Sequence, residues 1–352
     1  QAWLLGLLLL SAACAPLPPR PDLPDDFAPP PATSGAIAEL VMPREARHPG
    51  QSGFHLVSTG TEAYAARAFS AHAASRSLDI QTYIWHADMT GKMLALQALK
   101  AADRGVRVRI LVDDLDARAK NNGFAALDAH PNIEVRLFNP MASRSGALSK
   151  AGEFGTSFAR LNHRMHNKSW IADNRIALVG GRNLGDEYFD ASEDTNFIDL
   201  DITMAGPVVR EVSASFDRFW NSSAVWPIAA LSPELSTPEA LAKLRVALAG
   251  AQADPEAVKY EAALLEDSDV QRLISGKSPL AWSSGWIFVS DDPLKALRKG
   301  EAGDSSVVAT LTPVFRAATS RISISSPYFV PGDEVTAGLI ARANPNPVGP
   351  AS

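Results

Sequence analysis

A strand–helix–strand arrangement in the first third of the chain restricts the possible folds most. Leu78 to Trp85 alternates in polarity with the period of a strand. From Gly91 to Arg104 the apolar residues Met93, Leu94, Leu96, Ala98 and Leu99 recur at helical spacing. Gly105 stops that run, and Val106 to Val112 is a second strand. Two strands joined through a helix pair in parallel, with a right-handed crossover, so an α/β fold is expected. Ile133 to Phe138 adds another strand. Asp113 and Asp114 stand at a strand's C-terminal end, where α/β sheets bind ligands. They equally serve to cap the following segment, which is the preferred reading.

Further along, Lys168 to Ala172 is extended and mostly apolar, Asp173-Asn174 supplies turn chemistry, and Ile176 to Val179 returns as a second apolar strand. His166 and Lys168, two apart on a strand, point to one face. Gly180 and Gly181 let the backbone approach a ligand, and Asn183 offers an amide donor beyond them. An imidazole, a cation and an amide converging on one point suit a phosphoryl group. A lone His-x-Lys pair carries little weight, because surface strands often hold such pairs.

The full spacing is more specific. His-x-Lys, four residues, Asp, six residues, Gly-Gly-x-Asn resembles the motif of the phospholipase D superfamily. Arg164 to Lys168, Gly180 to Phe189, Leu127 to Pro140 and Gly206 to Val209 resemble the bacterial cardiolipin synthases of the C type. The resemblance runs from about Ser52 to Ala343. It implies a mixed central sheet flanked by helices and a protein of two homologous halves. A weak internal repeat agrees: Ala74-Ser75-Arg76 leads into Tyr83-Ile84-Trp85, and Thr319-Ser320-Arg321 leads into Tyr328-Phe329-Val330 at the same interval. No second His-x-Lys motif follows, and the proline-rich residues after Ala343 cannot build a buried strand. The expected organisation is therefore a complete first half over 53–227, a helical linker over 228–280, and a second half only begun over 281–352. Within the linker, Ser232 to Leu273 reads as two helices parted near Asp254-Pro255.

The resemblance also implies a mechanism. One histidine attacks phosphorus and forms a phosphohistidine, while another protonates the leaving alcohol and then activates the incoming one. Neither metal nor cofactor is required. His166 is the nucleophile or its acid–base partner, and Lys168 and Asn183 hold phosphate oxygens. Asp173 belongs to the motif but is expected to fix the hairpin more than to join the chemistry. Gly180 and Gly181 border the phosphate, Gly181 in place of the serine many members carry. Asp199 is expected to orient the histidine, with Asp201 in reserve and Glu187 third, the last otherwise a surface carboxylate. Arg164 and Arg182 flank the site and are candidates to bind an anionic head group; Arg164 is alternatively an exposed strand residue. His86, His130 and His163 lack metal-ligand spacing with a cysteine or a second histidine. Tyr83 and Trp85 either line the cleft or, as preferred, pack in the core.

Composition bounds the partners. A net charge of −6 disfavours unspecific nucleic-acid binding, which relies on many Lys and Arg contacts. Cys14 is the single cysteine, so no intrachain disulfide forms. It follows the short apolar run Leu4 to Leu10 and Ser11-Ala12-Ala13, which resembles the end of a bacterial lipoprotein signal over 1–14. No basic segment or methionine precedes that run, so the sequence is expected to begin within the signal. A plain secretory signal or a buried apolar N-terminus is the alternative. The proline-rich and acidic stretch within 15–52 reads as an extended, solvated tether.

The function expected is a membrane-associated phosphatidyltransferase of the cardiolipin synthase type, lipid-anchored and facing the periplasm. It would act on glycerophospholipids such as phosphatidylglycerol and phosphatidylethanolamine. A hydrolase releasing phosphatidic acid, or an inactive single-motif fragment, uses the same residues. A nuclease of the superfamily fits less well, because its small dimeric members are short and basic.

Overall fold

The computed structural model describes residues 17–114, 121–141, 164–296, 306–325 and 332–343. The elements run α1 Ala36–Arg47, β1 Ser52–Val57, α2 Gly60–Ala73, β2 Ser77–Thr82, α3 Met89–Asp103, β3 Arg107–Asp113, α4 Asn121–Asp128 and β4 Ile133–Phe138. After them come β5 Ser169–Ala172, β6 Ile176–Gly180, β7 Asp201–Ala205, α5 Val208–Trp220, β8 Val225–Pro227 and α6 Ile228–Leu231. Helices α7 Pro238–Gln252, α8 Pro255–Glu266 and α9 Ser268–Ile274 precede β9 Ala281–Ser283, and α10 Ser306–Ala317 and α11 Gly332–Ala343 complete the series.

The strands form one mixed sheet in the order β8-β4-β3-β2-β5-β6-β7-β1-β9. Strands β2, β3 and β4 are parallel, as the strand–helix–strand spacing requires, and the other neighbours are antiparallel. Alternation along each strand feeds two cores. Trp170, Leu178, Ile80 and Ile110 face α1 to α4 and the helices α7 to α9. Ile171, Ala177, Leu111 and Met204 face α5, whose Val209, Val212, Phe216 and Trp220 are buried against them. Sequence-local caps start the helices: Thr59 Oγ accepts from Glu62 N at the head of α2, and Asp88 from Gly91 N at the head of α3.

Two expectations about organisation change. Within 15–52 the described residues are not a solvated tether. Arg20 donates to the carbonyls of Val225 and Ser222, Ala28 N donates to Asp217, and Arg175 donates to the carbonyl of Ala32. The stretch runs along the fold because these polar groups complete one another, and α1 buries Ile37, Ala38 and Val41. The segment 228–280 is helical as expected, and its Leu248, Ala257, Leu264 and Val270 bury into the first core. The second half was expected to begin at 281, yet β9 extends the sheet of the first unit by pairing with β1. The chain divides into two compact units, Gln1–Phe288 with Asp292–Gly300, and Val289–Asp291 with Glu301–Ser352. The second unit has two helices and no strand among its described residues. Tyr328 of the internal repeat, Cys14 and His163 lie outside the described residues.

Candidate functional site

The C-terminal ends of β1, β2, β3, β4 and β6 and the N-terminal ends of β5 and β7 share one edge of the sheet. The residues leading into β5 cross that edge and are tied down there. Asp113, fully buried at the end of β3, accepts from Met165 N at 3.0 Å and from Arg164 Nη1 at 3.2 Å. Arg164 also donates to the carbonyl of Asn139, and Asp114 accepts from Met141 N. The two aspartates thus anchor loops at the strand ends; the segment they were expected to cap lies outside the described residues. Arg164 is not an exposed strand residue or a head-group ligand here, because its guanidinium turns into this bracket with 8% of the side chain exposed.

Pinned in this way, the segment presents His166 at the open rim and Lys168 just beneath it. Lys168 Nζ donates to the His166 carbonyl at 2.7 Å and lies 3.2 Å from His166 Nδ1. An ammonium has no acceptor, so a charged Lys168 makes Nδ1 the acceptor and leaves the proton of a neutral ring on Nε2. Burial draws the Lys168 pKa down to about 8, against the opposing pull of the Asp199 and Asp201 carboxylates. Partial burial, and then the Lys168 charge, lower the His166 pKa below its ordinary value. Tyr83, just past β2, packs its ring 4.8 Å from that of His166, and Lys168 Nζ lies 5.5 Å from the same ring. Tyr83 is therefore a residue of this site rather than of the core. Its adjacency to His166 comes from the pairing of β2 with β5, which neither strand displays alone. Trp85 does pack inside, with Nε1 donating to the carbonyl of Gly91.

The strand β6 brings the next group. Asn183 is buried, accepts from Ile84 N and donates to the hydroxyl of Tyr188. Both glycines meet carboxylates. A Cβ on Gly180 would lie 1.9 Å from Asp201 Oδ1 and 2.6 Å from Asp201 Cα, and one on Gly181 would lie 2.3 Å from Asp199 Oδ1. Asp201 is fully buried and accepts from Arg67 at 2.9 Å, with Arg182 at 3.7 Å. Arg182, 1% exposed, donates to the carbonyls of Val57, Ser58 and Asp199. This corrects two expectations: Arg182 is an internal brace rather than a head-group ligand, and Asp201 is held by arginines rather than by a histidine. Asp199 does not bond His166 either. Its carboxylate lies over Gly181, accepts from Leu200 N at 2.7 Å, and acts on Lys168 through its charge.

Asp173 sits at the far end of β5. Fully buried, its carboxylate accepts from Ser75 N, Ser75 Oγ, Arg76 N and Ser77 N at 2.8–3.1 Å. Five residues of strand put it roughly 17 Å from Lys168. It belongs to the entry of β2 and stands apart from the His166 rim.

Among the described residues, His86, Asp88 and Glu187 bring three ligand-type atoms within 4.8 Å of one another. Protein partners already engage them: His86 Nδ1 lies 3.1 Å from Glu187, and Asp88 accepts from Gly91 N and Asp186 N. Glu187 thus faces His86 rather than His166. His130 is buried, with Nε2 3.1 Å from Asp103, and among the described residues this pair belongs to no group of three ligand-type side chains.

The region that holds these residues is similar to known proteins. Residues 70–220 match a family model described as cardiolipin synthase, PLD-like domain. Cardiolipin synthase C of Escherichia coli is 40% identical over 297 residues, which are 84% of this chain and 61% of that protein. An uncharacterized protein of Helicobacter pylori is 30% identical over 85% of this chain and 58% of its own length. The chain thus spans about three fifths of the length of these relatives. The solved structure of phosphatidylserine synthase from Haemophilus influenzae is 13% identical, covering 61% of this chain and 48% of that one, with a TM-score of 0.38. With the His166-x-Lys168 pair, its glycines and Asn183 set on one edge of a mixed sheet, the chain belongs to the phospholipase D superfamily.

Proposed function

We propose that this protein transfers a phosphatidyl group between glycerophospholipids, in the manner of a cardiolipin synthase, through a phosphohistidine. The observation that carries this reading is the contact of Lys168 Nζ with His166 at an open rim. A phosphodiester oxygen arriving there competes with Nδ1 for the ammonium. Lys168 then neutralises anionic charge that grows as phosphorus becomes five-coordinate. Asn183 is assigned a second donor role, its amide exchanging the Tyr188 hydroxyl for a phosphate oxygen. Released from Lys168, Nδ1 can take the ring proton, which frees the Nε2 lone pair. In the nucleophilic role, Nε2 bonds phosphorus as the bond to the leaving alcohol breaks, and a second acid supplies that alcohol's proton. An acceptor hydroxyl then attacks phosphorus, loses its proton to the same group, and returns the bonding pair to Nε2. In the partner role, the Nε2 proton present before binding is the one delivered to the leaving oxygen. Either way one difficult displacement becomes two easier ones between positioned groups.

Substrates of this kind reside in bilayers. Among the described residues no helix is long and apolar enough to cross a membrane. A lipid on Cys14 would hold the protein at the periplasmic face instead. The test incubates the protein and its His166→Ala variant with phosphatidylglycerol and phosphatidylethanolamine. Cardiolipin formed by the unaltered protein alone supports the proposal. Phosphatidic acid as the sole product makes it a hydrolase, and equal turnover by His166→Ala removes His166 from the chemistry.

A further inference from the structure

On the same edge as His166, a cavity of about 220 Å³ opens between α3, α4 and α7. Its walls are Trp85, Ala95, Phe124, Leu127, Leu244 and Leu248, while His86 and the exposed Lys92 and Asn122 stand where it is polar. We infer that this cavity holds the first part of an acyl chain of the lipid whose phosphodiester lies at Lys168. The inference rests on the phosphatidyl-transfer reading and names where that substrate's hydrocarbon goes.

Three observations point to a hydrocarbon guest. The walls offer a guest almost nothing polar: the indole Nε1 of Trp85 is already spent on the carbonyl of Gly91 at 2.9 Å, and Phe124 sets its edge against the Trp85 ring at 5.8 Å. A guest with hydrogen-bonding groups would lose its water there without replacement. The volume falls below the roughly 300–1,000 Å³ of sites that enclose a whole drug-sized ligand, so it suits a segment of chain rather than an entire lipid. The third observation is continuity with the rim. Tyr83 touches His166, Ile84 N binds Asn183, and Trp85 and His86 line the cavity. Two residues, Ile84 and Trp85, separate Tyr83 from His86, which puts their Cα atoms at most ~11 Å apart. A glycerol unit and the start of an ester-linked chain bridge such a gap. The positive charge of Lys92 suits an anionic lipid entering there.

The probes are monoacyl phosphatidylglycerols with chains of four to twelve carbons, below their micellar concentrations, and glycerophosphoglycerol, which has the phosphodiester and no chain. Binding to the intact protein is read by calorimetry. Affinity is expected to rise about fourfold per added methylene and then level off once the cavity is full. Ala95→Leu narrows the cavity and should bring the plateau at a shorter chain. Leu244→Ala, at its partly exposed wall, should move the plateau to a longer one. Glycerophosphoglycerol that binds with no gain from any chain overturns the acyl site and leaves the phosphodiester reading standing. So does a plateau unmoved in both variants, once circular dichroism shows them folded. A chain-length gain that Ala95→Leu shortens, without binding of glycerophosphoglycerol, keeps the acyl site and counts against the phosphodiester reading.

Discussion

Replacing Asp173 separates a structural aspartate from a catalytic one. Its buried carboxylate satisfies three backbone N–H groups and one hydroxyl at the entry of β2. Hydrogen bonds to a charged acceptor contribute about 1.5–3 kcal/mol each, though not additively, and a buried donor left without a partner costs about 1–3 kcal/mol. Asp173 also has φ 55°, where alanine carries a penalty of about 1 kcal/mol that asparagine largely avoids. Asp173→Ala should therefore lose about 3–5 kcal/mol, a large share of the roughly 5–15 kcal/mol that holds a domain together. Asp173→Asn keeps an oxygen at the Oδ1 position, which receives three of the donors, and its amide can donate to Ser75 Oγ. It should lose only about 1–2 kcal/mol. Urea unfolding measures both, and transfer of a radiolabelled phosphatidyl group, normalised to folded protein, measures activity. The expected result is a destabilised alanine variant and an asparagine variant with turnover within about threefold of wild type. An asparagine variant as stable as wild type but a hundredfold slower would place Asp173 in the chemistry and refute the reasoning.

Lys168→Met should make the protein more stable and less active. The fall from 10.5 to about 8 corresponds to about 3 kcal/mol against the buried charge, an upper limit because Lys168 also bonds His166. Between those two values the unfolded chain binds more protons than the folded one, so wild-type stability should rise with pH across that window. Unfolding at pH 7 and pH 10 should show that rise, and Lys168→Met should lack it. The two motif glycines should differ: Gly180→Ala drives a methyl into Asp201, which Arg67 clamps, and should cost more than about 3 kcal/mol. Gly181→Ala meets only the half-exposed Asp199 carboxylate, which can swing aside, and should cost about 1 kcal/mol or less; equal losses in thermal melts would contradict this.

What the sequence displayed and what it hid divide along a physical line. Features set by neighbours in the chain were legible. The apolar alternation gave β4 its bounds of Ile133–Phe138, and the Asp173-Asn174 turn holds both residues left-handed, as these side chains tolerate. Features set by distant partners were hidden. Arg164 and Arg182 flank a motif that wants an anion, so each resembled a ligand, yet Arg182 is fixed by carbonyls more than a hundred residues away. The proline-rich stretch looked solvated because nothing local reveals that Asp217 and the Val225 carbonyl wait for its donors.

The spacing between Lys168 and Asp173 then has a physical meaning. Its four intervening residues are β5 itself, Ser169–Ala172. That strand pairs with β2 so that Leu78 faces Ala172 and Gln81 faces Ser169. Asp173 grips the backbone of Ser75 to Ser77 at one end of this pair, while Tyr83 meets His166 at the other. Slipping the register by one residue would turn every β5 side chain to the opposite face, burying the wrong residues and taking His166 away from Tyr83. An aspartate far from His166 can therefore govern the site without touching it, by fixing which residue beyond the end of β2 stands beside the imidazole.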